Sequence, residues 1–202
     1  MCHAFLNDAS FWCLLFKIDC QIADAVRAQG CPCGGVLHSA RYPRKPRGVS
    51  RELLGEPYES RLSFCCNRDG CRRRCTPPSV RFFGRRVYLG VVVTLAMARE
   101  HGLSVRRRQY LVRHLGVSAR VLIRWLNWWC QEFPSTCTWL ALRGAFIPAL
   151  NPSGLPGCLL GAVLGVDLAE RLRRFLALLM PLSTTSCAHC LRGTLEPQKM
   201  RM

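Results

Sequence analysis

Acidic residues are scarce in this chain. Twelve Asp+Glu stand against 29 Lys+Arg, a formal net charge of +17 over 202 residues. Lysine is nearly missing as well. Only Lys17, Lys45 and Lys199 occur, which leaves 26 of the 29 cations as arginine. The shortage of carboxylates excludes chemistry. Cut-and-paste DNA transfer needs three carboxylates converging on Mg²⁺ in a large α/β domain, and beyond residue 129 only Glu132, Asp167, Glu170 and Glu196 remain. No Gly-rich phosphate loop occurs, and no Ser or Cys has the neighbours that would activate it. His38, Arg41 and Tyr42 match one box of a tyrosine recombinase, but its other parts are missing. No enzymatic activity is expected.

Long apolar runs are absent too. None reaches the ~18 residues of a membrane span. Phe11–Phe16 is apolar but short, with no basic residues before it and no small-residue cleavage site after it. A signal peptide is therefore not expected, and a cytoplasmic protein without membrane contact is. Repeats and low-complexity tracts are lacking. With half the residues hydrophobic, the chain has material for at least one core.

The excess charge is concentrated. Between Arg41 and Trp125 there are 20 basic and 5 acidic residues, a net +15; the other 117 residues carry a net +2. A focused basic field suits a polyanion, of which nucleic acid is the commonest.

Fourteen cysteines are present. Their clustering (Cys31 and Cys33, Cys65 and Cys66, then Cys71 and Cys75) suits metal ligation better than disulfide stapling. Residues 30–79 are also crowded with Pro and Gly, which leaves little for a core of their own; a metal is the usual means of folding such a unit. The first candidate knuckle is Cys31-Pro32-Cys33, followed by Gly34 and Gly35, which let amides turn toward the sulfurs. The second pairs Cys71 with either Cys65 or Cys66. Two such pairs complete the tetrahedron of a zinc ribbon. The first pair is Cys-x-Cys where Cys-x₂-Cys is usual, and His38 and Cys75 are possible substitutes. Cys187 and Cys190, with His189 between them, form a lone knuckle expected to bind no metal.

Four segments follow from composition. Residues 1–29 hold an N-terminal segment with one short helix around Ile22–Val26. Residues 30–79 form the zinc-ribbon-like module. Residues 80–133 hold a trihelical unit: an apolar helix over Val87–Ala98, a second capped by Ser104 and broken at Gly116, and a third capped by Ser118 and running to about Glu132. Residues 134–202 hold a loop, a helix over Val163–Met180 and a disordered tail after Arg192.

Residues 106–129 carry the pattern of a helix-turn-helix. Leu111 and Leu115 pack the first helix, Gly116 permits a left-handed turn, Val117 plugs the junction, and Leu122 and Trp125 face the core. That leaves Ser118, Ala119, Arg120, Ile123 and Arg124 on the outer face, at the end that meets base edges in a major groove.

Together, CPCGG, RYPRKPRG, FCCNRDGCRRRCTPPSVRFFGRRVYLG and the helical pair resemble uncharacterised bacterial proteins linked to transposable elements. These look like the zinc-ribbon and helix-turn-helix front end of a transposase without its nuclease. The resemblance spans about residues 20–130. It implies one zinc ion held by Cys31, Cys33, Cys66 and Cys71, though the family's knuckle usually reads Cys-Pro-x-Cys-Gly-Gly and this one is a residue shorter. It also implies phosphate contacts from Arg44, Lys45, Arg47, Arg72, Arg73 and Arg74, and a possible transposase or recombinase partner.

The expected architecture is mainly α, with a small Cys-rich zinc-ribbon-like β module, a trihelical helix-turn-helix unit and a C-terminal helix. The expected function is non-enzymatic binding of duplex DNA in association with a mobile element. The alternatives are an RNA-binding zinc-ribbon protein and an interaction scaffold that uses the C-terminal apolar helix.

Overall fold

In the computed structural model, which describes residues 3–44, 48–49, 55, 58–83, 88–98 and 103–184, the chain is mainly helical and carries three small antiparallel sheets. Helix α1 (His3–Leu6) is a single turn. Helix α2 (Ala9–Gln29) has 21 residues, and Asp8 caps it by accepting from the amides of Ser10 and Phe11. It starts far earlier than the short helix expected from QIADAVRAQG. The apolar run Phe11–Phe16 is its first half, with Phe11, Trp12 and Leu15 buried on one side.

Strand β1 (Leu37–Ser39) pairs with β4 (Phe64–Cys66), which pairs with β5 (Arg74–Cys75). The register sets Leu37 opposite Cys66 and His38 opposite Cys65. Strands β2 (Tyr42–Pro43) and β3 (Ser60–Arg61) form a second ladder, and β6 (Phe82–Phe83) with β7 (Tyr88–Leu89) a third.

Helix α3 (Gly90–Met97) follows β7 directly, and all eight of its residues are buried. The expected helix thus starts later than Val87, because Tyr88 and Leu89 are drawn into the ladder with Phe82 and Phe83. A helix apolar on every side is a central one. Helices α4 (Val105–Leu115) and α5 (Ala119–Asn127) form a hairpin. Ser104 caps α4 by accepting from the Arg107 amide, and Gly116 ends it at φ 60°, where a side chain is unfavourable. Ser118 stands at the cap position of α5 without a side-chain cap bond. A π-turn over Trp128–Glu132 and 3₁₀ turns lead to α6 (Cys137–Leu142).

The helix expected over Val163–Met180 starts later, as α8 (Leu168–Leu179), and a further short helix, α7 (Gly157–Ala162), occupies part of the segment expected to be a loop. Asp167 caps α8 by accepting from the Glu170 amide, while Glu170 reaches back to accept from the Val166 amide. This reciprocal capping starts a helix at Leu168.

Two apolar clusters result. The larger joins the first half of α2 to α3, α4, α5, Trp129, Phe133, Trp139 and α8. The smaller unites Ala23 and Val26 of α2 with Cys31, Leu37, Leu62, Phe64 and Cys66. Helix α2 therefore runs from one cluster into the other and ties the Cys-rich sheet to the helical core.

Candidate functional site

The thiols of Cys31, Cys33, Cys66 and Cys71 converge, with all four Sγ atoms within 4.8 Å of one another. Cys31 and Cys33 come from the turn after α2, Cys66 from the end of β4, and Cys71 from the turn before β5. Sγ–Sγ separations are 3.7 Å for Cys31–Cys71 and 3.5 Å for Cys33–Cys66. Tetrahedral ligation at a metal–sulfur distance of ~2.3 Å places sulfurs about 3.8 Å apart, so the donor set fits a single ion. The Cys-x-Cys knuckle still delivers both sulfurs, because the turn is closed by Gly34 donating to the Cys31 carbonyl and Cys31 donating to that of Gly35. Gly35 cannot be replaced here: a Cβ on it would lie 2.5 Å from the Cys66 sulfur. Neither substitute joins the group; His38 is exposed on β1 and Cys75 lies in β5.

The electrostatics favour a cation. The Gly35 amide directed at its sulfur holds Cys33 down to about 6. At Cys66 the Arg68 amide pulls downward, and burial with the surrounding thiols outweighs it, leaving that thiol pushed up to about 12. Cys31 is raised in the same way, against the pull of the Cys33 amide. One thiolate forms readily, and the next ones meet a charge already present. A bound cation removes that conflict. Arg68 also lies against the site, its amide donating to the Cys66 sulfur and its guanidinium to the Cys33 carbonyl. Asn67 braces it by accepting from the Val36 amide. Both directly follow Cys66, so the Arg68 amide reaches its sulfur locally, whereas their bonds to Val36 and Cys33 arise only because β1 pairs with β4.

Of the basic residues singled out in the sequence, Lys45 and Arg47 lie outside the described residues, as do Cys187, His189 and Cys190. Arg72, Arg73 and Arg74 are exposed. Arg72 pairs with Asp69 at 2.7 Å. Arg74 and Arg44 gather at one ring: their guanidinium carbons lie 5.4 Å and 4.1 Å from the centroid of Tyr42. Tyr42 thus organises two of the cations.

Comparison with family models, curated proteins and solved structures returns no match for this chain.

On α5, Leu122 and Trp125 are buried, while Ser118, Arg120 and Ile123 are exposed and Ala119 is half-buried. Arg124 is half-buried, and its Nη1 donates to the Tyr88 hydroxyl at 3.5 Å. Arg120 therefore offers the free guanidinium at the start of this helix, and Arg124 is partly held inward. The four-thiol group and this helix belong to different apolar clusters. Helix α8, the surface of the scaffold alternative, has Leu172, Phe175, Leu176 and Leu179 buried in the larger core. Its apolar side is already covered by its own chain. Among the described residues no helix is long and apolar enough to cross a membrane.

Proposed function

We propose that this chain is a non-enzymatic DNA-binding protein. In this reading a structural zinc ion at Cys31, Cys33, Cys66 and Cys71 pins a basic ribbon, and α4–α5 act as a helix-turn-helix. The observation that carries the reading is the outer face of α5. It follows a left-handed Gly116 turn, it sets Ser118, Arg120 and Ile123 in solvent opposite buried Leu122 and Trp125, and it lies within the segment of net charge +15. The front of such a helix meets base edges, while Arg44, Arg72, Arg73 and Arg74 supply phosphate contacts. Zinc is favoured over other ions by an all-thiolate, closed, tetrahedral donor set. Association with a mobile element, and with a transposase or recombinase partner, belongs to the same proposal and rests on the motif resemblance.

Competition binding tests the reading. Labelled duplex DNA should bind with an affinity that falls steeply with salt, because each neutralised phosphate releases counterions. Single-stranded RNA of equal length should compete poorly. Better competition by RNA would favour an RNA-binding protein, and binding that is flat in salt would remove the nucleic-acid reading altogether.

A further inference from the structure

The four converging thiols differ in exposure. Cys31 and Cys66 are buried, at 7% and 1%, whereas Cys33 and Cys71 are half-buried. Each of the two Sγ–Sγ contacts joins one thiol of either kind. Half-buried Cys33 lies 3.5 Å from buried Cys66, and half-buried Cys71 lies 3.7 Å from buried Cys31. Each contact also joins the turn after α2 to the ribbon, across 33 and 40 residues of chain respectively. A disulfide sets its sulfurs about 2.05 Å apart, so either pair bonds after an approach of under ~2 Å. The adjacent thiol is kept out. Successive side chains of a strand point to opposite faces, and the Cys65 sulfur is turned to the Arg72 carbonyl.

We propose that this group is an oxidation site as well as a metal site: hydrogen peroxide forms the disulfides Cys33–Cys66 and Cys31–Cys71, which expel the ion and clasp the ribbon to α2 in its place. This rests on the zinc reading above. The half-buried sulfur of each pair is the one a dissolved oxidant meets first. The Cys33 thiolate attacks one peroxide oxygen; the S–O bond of a sulfenic acid forms, the O–O bond breaks and hydroxide leaves. The Cys66 thiolate beside it attacks the oxidised sulfur; the S–S bond forms and a second hydroxide leaves. Two protons from solvent turn both hydroxides into water. Cys71 and Cys31 repeat the sequence with a second peroxide. Two peroxides thus take four electrons from four thiolates, four protons are consumed and four waters form. The ion is released as Zn²⁺, unchanged in oxidation state, because the thiolate is the ligand and a disulfide is not one. The buried partner of each pair resolves the sulfenic acid before it climbs to sulfinic or sulfonic acid. Both bonds span the two segments that the ion joins, so the apolar cluster of Leu37, Phe64 and Cys66 keeps its fastening.

The test is titration of the full chain, reduced and loaded with zinc, with hydrogen peroxide. Zinc release is followed with a colorimetric chelator, and disulfides are mapped by mass spectrometry after non-reducing digestion. Protease resistance of the described parts of residues 30–79 is compared with that of reduced protein stripped of metal. One zinc should be released for every two peroxides consumed, with Cys33–Cys66 and Cys31–Cys71 as the mapped pairs within one chain. The oxidised protein should resist protease like the zinc form, while the stripped reduced protein is cut at least about tenfold faster. Dithiothreitol with added zinc should restore the starting state, and Cys65→Ser should behave like the natural chain. Pairs within one knuckle (Cys31–Cys33 or Cys66–Cys71), bonds between chains, or sulfinic and sulfonic acids in place of disulfides overturn the proposal. Loss of resistance on oxidation, or zinc retained under excess peroxide, overturns it as well. A reduced protein that takes up no zinc removes the zinc reading, and the mapped pairs then decide the oxidation site without it. Duplex affinity of the zinc form, measured in parallel, judges the DNA-binding reading separately.

Discussion

Arg81 donates through Nε to the Asp19 carboxylate at 2.7 Å, and both side chains are essentially inaccessible, at 0% and 1% exposure. Asp19 lies midway along α2, and Arg81 lies between the Cys-rich sheet and α3. The same carboxylate accepts from the Ser79 hydroxyl and the Val80 amide. The Arg81 guanidinium lies over the rings of Phe16 and Phe82. One buried carboxylate thus fastens the segment leaving the ribbon onto the helix that spans both apolar clusters. Breaking a buried pair by removing one partner strands the other charge in a medium that cannot solvate it. Asp19→Ala should cost about 3–5 kcal/mol in urea unfolding. Replacing both residues, as Asp19→Leu with Arg81→Met, should cost markedly less; a double variant as damaged as the single one would show that the pair is not what fastens the segment.

The four-thiol group has the donors for one ion, and the zinc proposal fixes a stoichiometry. Purified protein should carry close to one equivalent of zinc by elemental analysis. Cys71→Ser should lose the metal and the protease resistance of the described parts of residues 30–79, since the apolar cluster there is small and includes two of the ligands. Cys65→Ser should keep both, because that sulfur contacts the Arg72 carbonyl and stands outside the four-thiol group. Metal content unchanged in Cys71→Ser would remove the assignment.

Gly35→Ala tests the closeness of the centre. The added methyl meets the Cys66 sulfur at 2.5 Å and Arg68 Cβ at 3.1 Å. Relieving that overlap displaces a ligand, so the variant should lose at least about tenfold in zinc affinity by chelator competition. Overpacking of this kind costs about 1–3 kcal/mol. Gly34→Ala, where a Cβ meets nothing within 4 Å, should disturb the metal less and act through backbone strain at φ 80°.

Metal affinity should rise with pH. In the metal-free fold Cys33 ionises near 6, whereas Cys31 and Cys66 are raised and hold their protons through neutrality. Binding must expel at least those two protons. Apparent affinity should therefore change about 100-fold per pH unit around pH 7, falling as the solution is acidified. For the metal-free protein the linkage has two parts. The depressed Cys33 contributes stability that is present above its unfolded value and lost as pH falls through about 6. The raised Cys66 removes stability as pH climbs from its unfolded value toward 12. Denaturant titrations of the metal-free form should accordingly show a maximum near pH 9, between the two; a stability curve flat from pH 5 to 11 would contradict the ionisation order.

Arg120 and Arg72 separate reading from coating. Arg120→Ala should cost ~1–3 kcal/mol on the preferred duplex and relax discrimination at one base pair, as expected for a side chain at a base edge. Arg72→Ala should weaken all sequences alike. Arg124→Ala should do less to specificity than Arg120→Ala, because Arg124 is turned toward the Tyr88 hydroxyl. The recognition-helix assignment is falsified if Arg120→Ala and Arg72→Ala lose equally on matched and random duplexes.

Much of the architecture was written locally in the sequence. Ser104 and Gly116 bound α4 because a hydroxyl beside free amides and a residue tolerant of left-handed backbone act within one turn. Leu122 and Trp125 are buried on α5 at the helical spacing that marked them. The same holds for the concentration of charge and for the two Cys pairs, since composition and close spacing need no folding to be read. What the sequence could not determine are relations across distance. Whether Cys65 or Cys66 joins the centre depends on the register of β1 against β4, where a shift of one residue turns every side chain to the opposite face. Helix α2 begins at Ala9, ahead of the pattern that announced a short helix, because Phe11, Trp12 and Leu15 find a core made by α3 and α8, elements 75 or more residues away. Tyr88 and Leu89 leave the apolar helix for a strand because Phe82 and Phe83 offer a ladder. The Asp19–Arg81 pair, 62 residues apart, exists only once those clusters exclude water from it. Each of these is decided by a partner that only the folded chain brings near.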